Sequence, residues 1–136
     1  MTKTLVDSSV LLDLITPTSP HARWSKDQLD AADTRERVGI NVIIWAEVAA
    51  AFRDGAAMAL LENESFLQRL PIPWEAAELA GVAHREYRRR GGARETILPD
   101  FLVAAHAAYD NMVLLTRDAR RARTAFPSLT CITPET

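Results

Sequence analysis

The chain has 136 residues, with 16 Lys and Arg against 18 Asp and Glu for a net charge of −2. That length fits one domain over residues 1–136, which buries about 68% of its unfolded surface without metal or disulfide staples. A hydrophobic fraction of 48% excludes disorder, the weak net charge excludes nucleic-acid binding by bulk charge, and the lone Cys131 excludes an internal disulfide.

Thr4-Leu5-Val6 is an apolar run without polar alternation, as in a central parallel strand. Asp7-Ser8-Ser9 then caps a short helix that Pro17 and Pro20 stop. A second helix is expected over 21–32, with Trp24 and Leu29 on its apolar side. A second strand is expected over 37–40, ended by Asn41. It leads into an apolar helix over 42–53, broken at Asp54-Gly55. A further helix is expected over 56–70. Leu70-Pro71-Ile72-Pro73 then reads as an edge strand at best, because proline cannot donate to a ladder. A long helix over 74–90 ends at Gly91-Gly92, and another runs from Pro99-Asp100 to about Tyr109. Asp110-Asn111 turns the chain into a strand over 112–115. Thr116-Arg117-Asp118, a short basic helix and a last strand over 130–132 follow. This alternation predicts a three-layer α/β/α sandwich with a central parallel sheet.

In such sheets ligands bind beyond the carboxyl ends of the strands. Asp7 and Asp118 follow the two most apolar strands, Asp100 opens a helix, and Glu47 lies early in the helix after the second strand. Asp7, Asp100 and Asp118 also suit helix caps. Glu47 does not: Ile43, Ile44, Ala50 and Ala51 surround it at helical spacing, with no basic residue within a turn. A carboxylate on an inward face needs a distant arginine or a cation. Four converging carboxylates repel unless a hard divalent ion joins them, and Mg²⁺ or Mn²⁺ suits an all-oxygen set. Ser8, Ser9, Asn41 and Thr116 stand close enough in sequence to orient the acids. Asp13, more than a helical turn beyond Asp7, is expected at the surface or facing a second copy.

The residues also carry a family resemblance. Leu5-Val6-Asp7-Ser8-Ser9, Asn41-Val42-Ile43-Ile44-Trp45-Ala46-Glu47, Leu98-Pro99-Asp100-Phe101 and Leu114-Leu115-Thr116-Arg117-Asp118 resemble, in order, the acidic motifs of PIN-domain nucleases. The compact form resembles VapC-type toxins of type II toxin–antitoxin pairs. That resemblance implies a Mg²⁺- or Mn²⁺-dependent endoribonuclease, usually dimeric, silenced by a VapB-like antitoxin. Asp7, Glu47, Asp100 and Asp118 carry over as its catalytic and metal-binding acids. The alternatives are a non-catalytic PIN-like RNA-binding or scaffold module, and a housekeeping PIN nuclease without an antitoxin.

Of 14 arginines, nine lie between Arg85 and Arg123. Arg88, Arg89, Arg90, Arg94 and Arg117 are the candidate contacts to an RNA backbone, with a solvated helix face as the competing account. His21, His84 and His106 lack metal-ligand spacing, and His84 and His106 read as locally packed helix residues. Trp24, Trp45 and Trp74 read as core or interface. A haloacid-dehalogenase-like site needs an acid where Ser9 stands, and a receiver domain needs a late lysine that the chain lacks. No apolar stretch is long enough to cross a membrane, so a cytoplasmic protein is expected.

Overall fold

The computed structural model describes residues 2–33, 38–52, 55–62, 67–92 and 98–134. In chain order these form β1 (Thr4–Val6), α1 (Ser8–Leu14), α2 (Ala22–Asp33), β2 (Val38–Ile40), α3 (Val42–Ala51), α4 (Gly55–Glu62), β3 (Leu67–Arg69), α5 (Trp74–Arg89), α6 (Leu98–Tyr109), β4 (Val113–Leu115), α7 (Arg120–Ala125) and β5 (Cys131–Ile132).

The strands make one parallel sheet in the order β3-β2-β1-β4-β5. Every residue of β1 and β2 is buried, as expected of strands covered on both faces. The chain steps from β1 to β2 to β3 in one direction, then from β4 to β5 in the other. Right-handed crossovers therefore put α1–α4 on one face and α5–α7 on the opposite face. Packing agrees: α1 rests on α2 and α3, while α6 rests on α5 and α7. This is the three-layer α/β/α architecture that the alternating pattern predicts. The main core joins Leu5, Val6, Leu11, Ile44, Val48 and Leu115 through the sheet.

Two helix ends follow directly from local chemistry. Gly91 has φ +82°, and the amides of Gly91 and Gly92 donate to the carbonyls of Arg88 and Tyr87, a Schellman cap. Asn111 does the same at φ 55°, with the Asn111 and Met112 amides on the Ala108 and Ala107 carbonyls. Asn tolerates that left-handed geometry, so Asp110-Asn111 turns the chain as read.

The expected helix over 56–70 is a correction. α4 spans Gly55–Glu62, residues 63–66 lie outside the described residues, and Leu67–Arg69 pairs in parallel with Val38–Ile40 as the edge strand. Backbone pairing to β2 outweighs local helix propensity there, and the Leu70 amide extends it by donating to the Ile40 carbonyl at 2.8 Å. Gly39 permits this approach, since a Cβ there would collide with the Leu70 side chain. The prolines at 71 and 73 lie just past the strand. Of the tryptophans, Trp24 and Trp45 pack against the core, whereas Trp74 is 89% exposed and is no core residue. His84 packs beside Phe101, and Cys131 is buried as a small apolar residue. Arg37, Arg53, Asp54, Arg94 and Ile97 lie outside the described residues. No helix among the described residues is long and apolar enough to cross a membrane.

Asn41 ties two layers together. Its Oδ1 accepts from the Ile44 amide at 3.0 Å, capping α3, and its Nδ2 donates to Nδ1 of fully buried His106 on α6 at 3.0 Å. Burial holds the His106 pKa down, and Nε2 faces Asp110 Oδ2 at 3.3 Å. Asn41→Ala removes the cap and orphans a buried imidazole nitrogen. It should cost about 2 kcal/mol in urea denaturation; an unchanged midpoint would show that this tie does not hold α3 to α6.

Candidate active site

The chain leaves β1 towards β2 and leaves β4 towards β5, so the carboxyl ends of β1 and β4 flank a topological switch point. A cavity of about 560 Å³ opens there. Asp7, Asp100 and Asp118 line it from three distant stretches, together with Ser9, Thr116 and Arg117. His21, Arg120 and Arg121 complete its polar wall. Glu47 does not line the cavity. It stands behind Ser8, whose Oγ donates to Glu47 Oε1 at 3.2 Å.

Asp7 is the centre of the arrangement. It caps α1, its Oδ1 accepting from the Ser8 amide at 2.9 Å. Its Oδ2 accepts from Thr116 Oγ1 at 2.7 Å and from Ser9 Oγ at 3.4 Å. Thr116 Oγ1 also accepts from the Asp118 amide at 3.3 Å, and Ser9 Oγ from the Arg117 amide at 3.3 Å. The hydroxyls thus bolt the loop after β4 onto the loop after β1. Asn41 contacts none of the acids and acts instead on the helices that carry Glu47 and Asp100.

The electrostatics divide the acids. Burial raises the pKa of Asp7 against the pull of Thr116, Ser8 and Ser9. Burial also raises Glu47 and Asp100, and the charge of Asp7 raises both further. Neither Asp7 nor Glu47 has a salt-bridge partner among the described residues. Asp100 and Asp118 do. Arg121 reaches Asp100 at 3.3 Å, and Arg120 clamps Asp118 at 2.6 Å, drawing its pKa from 3.8 to about 2. Glu47 is half-buried rather than enclosed, because Ala50 and Ala51 on its helix face solvent.

The structure overturns the surface reading of Asp13. It is 2% exposed, and its carboxylate accepts from Ser19 Oγ and Ser25 Oγ, each at 2.6 Å. Arg117 Nε lies 3.5 Å from Asp13 Oδ2. Helical spacing places Asp13 beside Val10 in the core of α1, and α2 folds over it with Ser25. Arg117 is therefore anchored to a buried acid while lining the cavity. Arg88 and Arg89 are exposed at the end of α5, with Arg89 paired to Glu86, and neither reaches the cavity. Arg90 borders a shallow cleft that shares Arg120 and Arg121 with it. Sequence reasoning gave His21 no role beyond its lack of metal-ligand spacing; only the fold of the segment after α1 brings it to the cavity.

All the convergent donors are oxygens, the set that suits Mg²⁺ or Mn²⁺. As placed, no three His, Cys, Asp or Glu among the described residues close into a ready ligand shell. Mg²⁺ keeps several waters and takes as few as one or two carboxylates directly, so a partly open set fits it. The raised pKa values of Asp7 and Glu47 mark carboxylates short of positive charge, which a cation relieves.

Fold and cavity together define a doubly wound α/β domain with an acidic site at its switch point. The PIN domain model matches residues 4–127, and the chain belongs to that family. Among solved structures it is similar to a chain of VapBC2 from Rickettsia felis bound to a promoter DNA fragment, at 17% identity and TM-score 0.74, covering 97% of this chain and 98% of that one. DNA-bound VapBC from Salmonella typhimurium matches at 22% identity and TM-score 0.73, covering 98% of each chain. VapC20 of Mycobacterium tuberculosis, described as a sarcin-ricin loop cleaving toxin, matches at 16% identity and TM-score 0.69, covering 91% of this chain and 96% of that one. No curated protein sequence matches.

Raised acid pKa values mean that the folded chain binds protons more tightly than the unfolded one. Asp7, Glu47 and Asp100 therefore lower stability as pH rises above their ordinary values, 3.8 for Asp and 4.5 for Glu. Asp118 acts oppositely: its contribution is present above 3.8 and is lost as pH falls to about 2. Glu47→Gln keeps an acceptor for Ser8 and removes the strained charge. At neutral pH without metal its Tm should exceed that of the wild type; a lower Tm would contradict this account. Asp13→Ala strands the buried Ser25 hydroxyl and should cost about 2 kcal/mol or more in chemical denaturation.

Proposed function

We propose that this chain is a Mg²⁺- or Mn²⁺-dependent endoribonuclease that acts as the toxin of a type II toxin–antitoxin pair. The observation that carries the reading is the cavity at the switch point. Three carboxylates from distant stretches line it, and Glu47 stands close enough to feel two of them. A site that only bound RNA has no use for uncompensated anions beside phosphate.

In this reading Asp7, Asp100 and Asp118 hold the metal, with Glu47 behind them. A bound ion there supplies Lewis-acid stabilisation of the phosphodiester and a water acidic enough to attack at neutral pH. The chain's own residues do the rest. Thr116, Ser8 and Ser9 fix the orientation of the Asp7 and Glu47 carboxylates. Arg117 offers positive charge on the cavity wall, and Arg120 and Arg121, beside Asp118 and Asp100, would be available to backbone phosphates if a cation held those acids. Arg90 extends that basic rim, while Arg88 and Arg89 supply diffuse attraction at the end of α5.

The similar structures named above are chains from VapBC complexes and an RNA-cleaving VapC toxin, which supports an antitoxin partner and an RNA substrate for this chain. A homodimer and a cytoplasmic location belong to the same reading.

Purified protein should cleave RNA with Mg²⁺ or Mn²⁺ present and stop when EDTA is added. Asp7→Asn and Asp100→Asn should each abolish cleavage while the fold persists. Full activity in either variant, or metal-independent cleavage by the wild type, sinks the assignment. Independently of turnover, millimolar Mn²⁺ should raise the Tm of the wild type and leave that of Asp7→Asn nearly unmoved, because only the native state binds the ion.

A further inference from the structure

We propose that His21 is a substrate-contacting residue. Its imidazole bonds an oxygen of the ribose–phosphate backbone of RNA laid across the acid cavity. The inference rests on the ribonuclease reading and adds a residue that the acidic motifs do not contain.

His21 lies in the segment between α1 and α2 and lines the same cavity as Asp7, Asp100 and Asp118. Neither ring nitrogen has a hydrogen-bond partner among the described residues. Nδ1 is buried and unsatisfied, whereas the ring as a whole is only partly buried. A buried polar atom left without a partner costs about 1–3 kcal/mol. An apolar ring of similar shape would avoid that cost, so packing alone does not account for an imidazole here. The other nitrogen belongs to a ring that lines a cavity of about 560 Å³, where a bound ligand can use its bonding capacity.

The backbone that carries the ring is also held in place. The His21 amide donates to Ser19 Oγ at 3.3 Å, and Ser19 Oγ donates to buried Asp13 at 2.6 Å. The same carboxylate lies 3.5 Å from Arg117 Nε. One buried acid therefore links two groups that line the same cavity as the carboxylates, the backbone at His21 and the guanidinium of Arg117. An RNA strand whose scissile phosphate sits at the acids enters the cavity that His21 and Arg117 also line. Fixed donors aimed at a backbone bind at little ordering cost.

The test compares wild type, His21→Ala, His21→Phe and His21→Gln. Initial rates are measured on total cellular RNA with Mn²⁺, affinity by anisotropy of a fluorescein-labelled mixed-sequence RNA in EDTA, and Tm in parallel. The expected result is a loss of about ten- to hundredfold in kcat/KM for Ala and Phe, as for one hydrogen bond to a charged group. His21→Gln should recover part of it through its amide, and His21→Phe should melt no lower than wild type. Wild-type kcat/KM and affinity in His21→Phe overturn the contact, as does activity that falls only in step with Tm in all three variants. Wild-type binding without cleavage sinks the ribonuclease reading instead, while affinity that still depends on His21 upholds the contact.

Discussion

Thr116 Oγ1 donates to Asp7 Oδ2 at 2.7 Å across the ends of two neighbouring central strands, and the cavity depends on that bond. β1 and β4 are adjacent in the sheet but 109 residues separate the two partners. Their connections leave in opposite directions, which opens the crevice, and the hydroxyl closes its floor. The same oxygen accepts from the Asp118 amide, so one threonine sets the relation of Asp7 to Asp118. Ser8 extends the pattern to Glu47. Small hydroxyl side chains suit this role because they approach carboxylates closely, lose little rotamer freedom and add no charge.

The site is held against its own electrostatics. Asp7, Glu47 and Asp100 are each pushed toward the protonated form by burial and, for the latter two, by Asp7. The fold tolerates this because the strain is local and the core beneath it is complete, with Leu5, Val6 and Leu115 packed under the acids. Arg120 and Arg121 offset the outer two acids, Asp118 and Asp100. Asp7 and Glu47, further inside, rely on hydroxyls and an amide. The inner acids thus carry the uncompensated charge, while the outer two already have guanidinium partners.

Asp13 does for the cavity wall what Thr116 does for the floor. It gathers Ser19, Ser25 and Arg117 about one buried carboxylate and fixes the segment that presents His21. A buried acid with two hydroxyl donors and a guanidinium beside it satisfies most of its lone pairs, which is why it can sit in the core of α1. Floor and wall are both polar clusters, each joining α1 to the loop after β4.

Much was legible in the chain itself. The apolar runs before Asp7 and Asp118 are buried on both faces, and that pattern alone implies a parallel sheet whose carboxyl ends carry the acids. The caps at Asp7, Asn41, Gly91 and Asn111 are local chemistry, decided by one or two residues and their backbone angles. What tertiary structure decided is where distant segments meet. Leu67–Arg69 became a strand because β2 offered it a ladder, against its helical propensity. Asp13 went inward because α2 covered it with Ser25, and His21 reached the cavity because Ser19 held the turn before it. Arg117 is a candidate RNA contact on charge alone, and only the fold shows its Nε beside Asp13. Periodicity reports how a segment faces its own element. Which buried partner completes a polar group depends on another part of the chain, and in a single sequence that pairing leaves no mark.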